Sequence, residues 1–344
     1  MHAHRLRRRS LIGSALAAPF LSNPLHAADL TPLRVRLDWT PWGCHAALHL
    51  ANAKGWFRDA GLDVAIDDGN GTNQTVQIVG GGDDVDVGHA ALSSMMIARD
   101  KGFKLRAVAS YARNSDIGVM VPVTSSIRTI ADLRGKRIGH TASSLETPFL
   151  GDFLKAGGLT KADIELVNLD GAAKLAAYLD GKLDGAFSSI PFFVPAVQAQ
   201  RPSRGILLGD AGLRLPSYGL FAREETIAKK RDALTRLVSI SDGAWAYIKA
   251  GHQDEGVAAI HAARPNAKLS PAVMRGQIDL YLTFFATPAT KDAPIGTMAP
   301  ADWQQAVATV EKAKLISTDL TPTDYYTNEL FDQARYAAVA GTRT

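Results

Sequence analysis

The sequence predicts an α/β protein of two lobes with a ligand cleft between them. Three observations carry that expectation: strand-like and helix-like runs alternate from Leu33 onward, the alternation restarts after a break, and the chain is too long for one core. Of its 344 residues, roughly 317 follow an expected export segment, beyond the 250–300 or so at which single cores split.

In chain order, Arg34–Asp38 reads as a strand, His45–Lys54 as a helix, Leu62–Asp67 as a strand and Gln74–Val79 as a helix. Asp84–Val87 reads as a strand, Ala90–Lys101 as a helix and Leu105–Ser110 as a strand. The second round runs through strand Arg137–His140, helix Leu145–Ala156, strand Ile164–Leu169, helix Ala172–Leu179 and strand Gly185–Ser188. Strands alternating with helices imply parallel βαβ units. Two short apolar runs, Ile117–Val121 and Tyr218–Ala222, flank the second round and suit chain crossings between lobes. In Arg231–Lys249 the apolar residues Leu234, Leu237, Val238, Trp245 and Ile248 recur at helical spacing and mark one buried face. That tail has no sheet of its own, so it is expected on the first lobe. The expected division is residues 1–27 as a signal peptide, 28–120 with 217–344 as a discontinuous first lobe, and 121–216 as the second.

Arg5, Arg7, Arg8 and Arg9 precede the apolar run Leu11–Leu21 and the small-residue stretch around Ala27 and Ala28, which is a secretory pattern of the Tat or the Sec type. Cleavage after Ala27 would remove four arginines and no acid from a chain holding 38 basic and 34 acidic residues. The mature charge is then balanced and gives no electrostatic reason to expect nucleic acid or an anionic membrane. No mature stretch approaches the roughly 18 apolar residues of a membrane span, so a periplasmic, non-inserted product is expected. Cys44 is the single cysteine, which excludes an internal disulfide and obliges any metal site to draw on other residue types.

Open α/β sheets bind ligands outside the carboxyl ends of their strands. That rule selects loops carrying Trp39, Trp42 and His45, then Asn70, Gly71 and Thr72, then His89, Ser93 and Ser94. In the second lobe it selects Ser143 and Ser144 and then Ser188 and Ser189; Tyr218, opening the returning run, joins the candidate set. Trp39 and Trp42 suit a stacking wall for a flat ligand or, equally, core packing. His45 and His89 suit hydrogen-bond donation or a structural role, and the hydroxyl residues suit helix capping as well as ligand contact. Glu146 reads as a first-turn carboxylate complementing the helix dipole. These loops are expected to present no Lys or Arg on the first lobe and no acid on the second, so the expected ligand is planar and neutral or weakly anionic. The G-x-S-x-G, H-E-x-x-H and G-x-x-x-x-G-K motifs are absent, and Gly69 and Gly71 lack the third glycine of a dinucleotide loop. No catalytic residue, cofactor or metal is assigned.

Leu37-Asp38-Trp39-Thr40-Pro41, His45, Ala53–Arg58 and Ala60–Val64 resemble the N-terminal signature of the superfamily holding thiamine-pyrimidine synthases and pyrimidine-precursor, nitrate and sulfonate-type binding proteins. The likeness continues through Val85–Gly88, Leu133–Gly139, Gly181–Ala186 and Tyr326–Glu329. It implies a type II periplasmic-binding fold serving an ABC importer, a monomer that delivers a small molecule to a permease with its ATPase. It also supplies a rival, since fungal members are enzymes using a cofactor-bearing Lys, a consumed His and a cysteine-rich iron motif. The positions matching that Lys and His here are Ala90 and Ser94, and the cysteine cluster is missing. Bacterial pyrimidine-precursor binders carry a Glu where this chain has about Ile190.

Overall fold

The structure, a computed structural model, describes residues 30–341 apart from 83, 143, 145, 269, 318 and 319. The expected signal segment and Ser143 lie outside the described residues. Two five-stranded mixed sheets form the two lobes. The strands are β1 (Thr31–Leu37), β2 (Leu62–Asp67), β3 (Val87–Ala91), β4 (Leu105–Ser110), β5 (Ile117–Pro122), β6 (Arg137–His140), β7 (Glu165–Asn168), β8 (Gly185–Ser189), β9 (Ser203–Leu207) and β10 (Tyr218–Arg223). The first sheet has the order β2-β1-β3-β10-β4 and the second β7-β6-β8-β5-β9, one pattern used twice.

In each sheet four strands run in one direction, three of them as neighbours, and the strand between those three and the edge strand is antiparallel and comes from a chain crossing. Parallel β1 pairs with β2 and β3, while β10 runs antiparallel between β3 and β4. Correspondingly β6 pairs with β7 and β8, while β5 runs antiparallel between β8 and β9. Every residue of β3 and β5 is buried, as expected of central strands covered on both faces. On β1, by contrast, Leu33, Val35 and Leu37 are buried and alternate with Pro32, Arg34 and Arg36.

The third strand lies further along the chain than Asp84–Val87. Val87–Ala91 is small and contains a histidine, so its composition reads as a loop, yet pairing with both β1 and β10 holds it extended. The following helix consequently begins at Leu92 instead of Ala90. Likewise, the helix expected from Leu145 is a short 3-10 turn, Thr147–Phe149, followed by Leu150–Ala156.

The tail packs on the first sheet. Leu234, Leu237, Trp245 and Ile248 of the helix Arg231–Lys249 share a core with Leu33, Val35 and Leu37 and with Tyr281 and Phe285. The helix Pro271–Leu282 also reaches across to the second lobe, against the helix Ile190–Val197. Gln277, 4% exposed, accepts a hydrogen bond from the Gly43 amide at 3.0 Å and donates one to the Phe192 carbonyl at 3.0 Å, joining both sides of the cleft. A Cβ at Gly43 would stand 2.6 Å from Gln277 Cβ, so only glycine admits this approach. Because Gln277→Ala leaves the buried Gly43 amide unpaired, we expect it to cost about 1–3 kcal/mol in urea unfolding at unchanged slope. A loss below about 0.5 kcal/mol would mean that water replaces the side chain.

Candidate functional site

The loops after β1, β2, β6, β7 and β8 meet around a cavity of about 190 Å³ between the lobes. Its wall carries Asp38, Trp39, Trp42, Asn70, Gly71 and Thr72 from the first lobe. From the second come Thr141, Ser144, Gly171, Lys174, Ser188, Ser189, Phe192 and Phe193, and Tyr218 sits at the crossing. The two first-lobe loops are stitched by backbone: Gly71 N–H donates to the Asp38 carbonyl at 2.6 Å and Gly69 N–H to the Trp39 carbonyl at 3.2 Å. Gly71 takes φ +118°, and a Cβ at Gly69 would stand 2.0 Å from the Leu37 carbonyl oxygen, so both positions require glycine.

The two tryptophans divide the roles proposed for them. Trp39 is 37% exposed on the cavity rim, free to cover a ligand. Trp42 is 3% exposed and belongs to the core as well as the wall, with edge contacts to Phe192, Tyr218 and Tyr281. His45 and His89 lie behind the wall, fully buried, with burial holding both imidazoles down to about 3 and therefore neutral. His45 Nδ1 accepts the Trp42 amide at 3.2 Å, so its Nε2–H donates to Asp38 Oδ1 at 3.1 Å. Ser93 and Ser94 fall inside the helix Leu92–Asp100, away from the cavity wall, Ser93 buried and Ser94 half-buried. Ser189 donates to the Asp116 carboxylate at the crossing, and Ser144 donates to the Thr141 carbonyl at 2.8 Å.

The cavity wall carries no Lys or Arg from the first lobe and no acid from the second, but it does carry two charged groups of the other kind, Asp38 from the first lobe and Lys174 from the second. Asp38 caps β1 inside the wall, where burial pushes its carboxyl up to about 6 against hydrogen bonds from Tyr218 and Thr72. Lys174, 3% exposed in the helix Gly171–Leu179, donates to the Phe187 carbonyl at 2.6 Å and stands 3.8 Å from Glu146 Oε1. Glu146, 2% exposed, is thus the partner of a buried ammonium and not a solvated dipole complement. Burial lowers the Lys174 pKa, and Glu146 opposes that shift. The strand-end rule could have found Lys174, because its helix opens the loop after β7, a strand end left out when the loops were selected.

A family description, NMT1/THI5 like, matches residues 42–256. A Haemophilus influenzae protein bearing a provisional thiamine-biosynthesis name is 25% identical over 242 residues, 70% of this chain and 76% of that one. A 4-amino-5-hydroxymethyl-2-methylpyrimidine phosphate synthase of Saccharomyces cerevisiae is 29% identical over 150 residues, 43% of each chain. Among solved structures, the periplasmic aliphatic sulphonate binding protein SsuA of Escherichia coli superposes with a TM-score of 0.63 at 18% identity, over 86% of this chain and 97% of that one.

Lys174 and Glu146 form a buried pair, and removing one partner of such a pair strands the other's charge. Lys174→Met should therefore cost about 3–5 kcal/mol in denaturant unfolding, while the double change Glu146→Gln with Lys174→Met recovers most of it. A single-variant loss below about 1 kcal/mol would mean that solvent already screens the pair.

Proposed function

The chain belongs to the NMT1/THI5-like family, and from that premise we propose that it is the substrate-binding component of an ABC importer, closing on a small planar aromatic or heteroaromatic molecule. The observation that carries this reading is the aromatic-walled cavity between the lobes, with Trp39 exposed at its rim. At about 190 Å³ it is on the scale of the ~150 Å³ cavity that admits benzene, so it suits one substituted ring. Hydroxyls and the Asp38 carboxyl supply the few polar groups that orient a flat ligand. A thiamine-pyrimidine precursor is the substrate class that the family membership favours.

In this reading the protein is exported to the periplasm, works as a monomer and delivers its ligand to a permease with an ATPase. Among the described residues no helix is long and apolar enough to cross a membrane. Catalysis of the synthase type is disfavoured because Ala90 and Ser94 stand at the positions of its Lys and His and neither lies on the cavity wall. A second reading, an alkylsulfonate-type anion, is favoured by Lys174 alone. That ammonium is already committed to Glu146 and the Phe187 carbonyl, and Asp38 shares the wall and repels an anion.

A thermal-shift panel tests the ligand class, since ligand at 100 times its Kd adds roughly 2.7 kcal/mol of stability. Aminopyrimidines should raise the melting point, and Trp39→Ala should weaken their binding by on the order of 1 kcal/mol while leaving unfolding unchanged. Strong shifts with aliphatic sulfonates and none with ring compounds would overturn the aromatic reading.

A further inference from the structure

Behind the cavity wall, four side chains with metal-binding atoms converge. Asp38 follows β1, Cys44 and His45 share the short turn Gly43–His45, and His89 is the middle residue of β3. The parallel register pairs Leu37 with His89, which sets the imidazole beside the end of β1. One donor atom from each of the four lies within 4.8 Å of the others, and all four residues are buried. Donors on a single tetrahedral ion stand roughly 3–4 Å apart, so small side-chain adjustments close this set on a cation.

The four are not equivalent. His45 has both nitrogens engaged, one by the Trp42 amide and one by Asp38, and ligation through Nε2 would turn its second nitrogen's proton against that amide. His89 is the opposite case. It is 1% exposed, neither of its nitrogens has a hydrogen-bond partner among the described residues, and its ring is fixed by stacking on Tyr111 and Tyr218. A buried, oriented imidazole with two unpaired nitrogens is costly unless it serves a ligand. Cys44, 1% exposed, and Asp38 supply a thiolate and a carboxylate, whose two negative charges balance one divalent cation. Among the described residues no Lys or Arg forms an ion pair with Asp38. Because Asp38 also lines the cavity, the cluster adjoins the cleft.

We propose that Asp38, Cys44 and His89 form a binding site for a thiol-seeking divalent cation such as zinc(II), with His45 as the positioning residue that holds Asp38. One sulfur, one nitrogen and one oxygen donor suit that ion, leaving one position for a water or an incoming group. Binding releases the Cys44 proton to solvent. His45 keeps its hydrogen bond to the ligating carboxylate, the usual arrangement around bound metals. The inference stands independently of the carrier reading and of the ring-shaped ligand.

Cobalt(II) is the probe, because its spectrum reports both thiolate ligation and coordination number. Chelator-treated full-length protein should take up one cobalt per chain, with a thiolate-to-cobalt charge-transfer band in the near ultraviolet and four-coordinate bands in the visible, all abolished by zinc(II). Cys44→Ser, checked for folding by circular dichroism, should lose the charge-transfer band. His45→Gln should keep that band with affinity lowered by about 10–100-fold. Wild-type protein without the band at saturating cobalt would overturn the site, as would a band that survives Cys44→Ser. Loss of the band in folded His45→Gln would overturn the three-ligand assignment.

Discussion

The two chain crossings are hydrogen-bonded to each other, and the geometry of the cleft depends on that bond. The amides of Tyr111 and Ala112 donate to the Tyr218 carbonyl at 3.0 and 3.1 Å, and the Ser217 amide donates to the Ala112 carbonyl at 2.8 Å. Each crossing then becomes the antiparallel strand of the sheet it enters, so neither sheet completes its ladder without chain delivered from the other lobe. The strand ends that carry Trp39, Thr72, Ser144 and Ser189 are thereby brought to face one another across a fixed hinge. Asp116, just after the first crossing, secures the far side: its carbonyl accepts the Ile190 amide at 2.8 Å and its carboxylate accepts the Ser189 hydroxyl.

Around that hinge the protein tolerates buried charge that a purely structural core would exclude. Lys174 and Glu146 are each almost wholly covered, and Asp38 sits in the wall with only neutral donors bonded to it. Ionised groups in a low-dielectric interior are expensive, and replacing such a pair by apolar residues is often neutral or stabilising. Groups of this kind concentrate at functional clefts, where the cost of burial is returned when a ligand binds. The mixture of aromatic faces and a few held polar groups is the composition expected of a small-molecule pocket.

Much of this architecture was legible in the residues because period and burial agree. β2, β4, β6 and the helix Arg231–Lys249 occupy the spans their patterns mark, since apolar spacing there matches the face that is covered. Val87–Ala91 was illegible as a strand for the converse reason. Glycine, alanine and histidine carry no strand pattern, and only pairing on both sides reveals the element. Of the candidate site, Trp39, Trp42, Asn70, Gly71, Thr72, Ser144, Ser188, Ser189 and Tyr218 stand on the cavity wall, because strand ends and the loops after them are visible in a sequence. His45, His89, Ser93 and Ser94 are not on it: His89 lies within β3, where register and not spacing sets which way a side chain points, while His45 lies in the turn Gly43–His45 and Ser93 and Ser94 in the helix that begins only at Leu92. Glu146 was read without Lys174 because their proximity is tertiary: 28 positions separate the turn before Thr147–Phe149 from the helix Gly171–Leu179, and the two meet only in the fold.

Asp38 belongs both to the cavity wall and to the interior cluster, which couples what each can hold. With its carboxylate balanced only by hydrogen bonds from His45, Thr72 and Tyr218, the first-lobe wall presents negative charge to the cleft. A divalent cation held by Asp38, Cys44 and His89 would offset that charge while leaving Lys174 in place on the opposite wall, so the same cavity would turn from disfavouring anions to accepting them. By linkage the effect runs both ways: an anionic ligand in the cleft would tighten the cation's hold by the factor with which the cation tightens the ligand's. With the proposed cation bound, the electrostatic preference of this cleft would be a property of two sites sharing one carboxylate, and the cavity-lining residues alone would omit part of the charge that decides it.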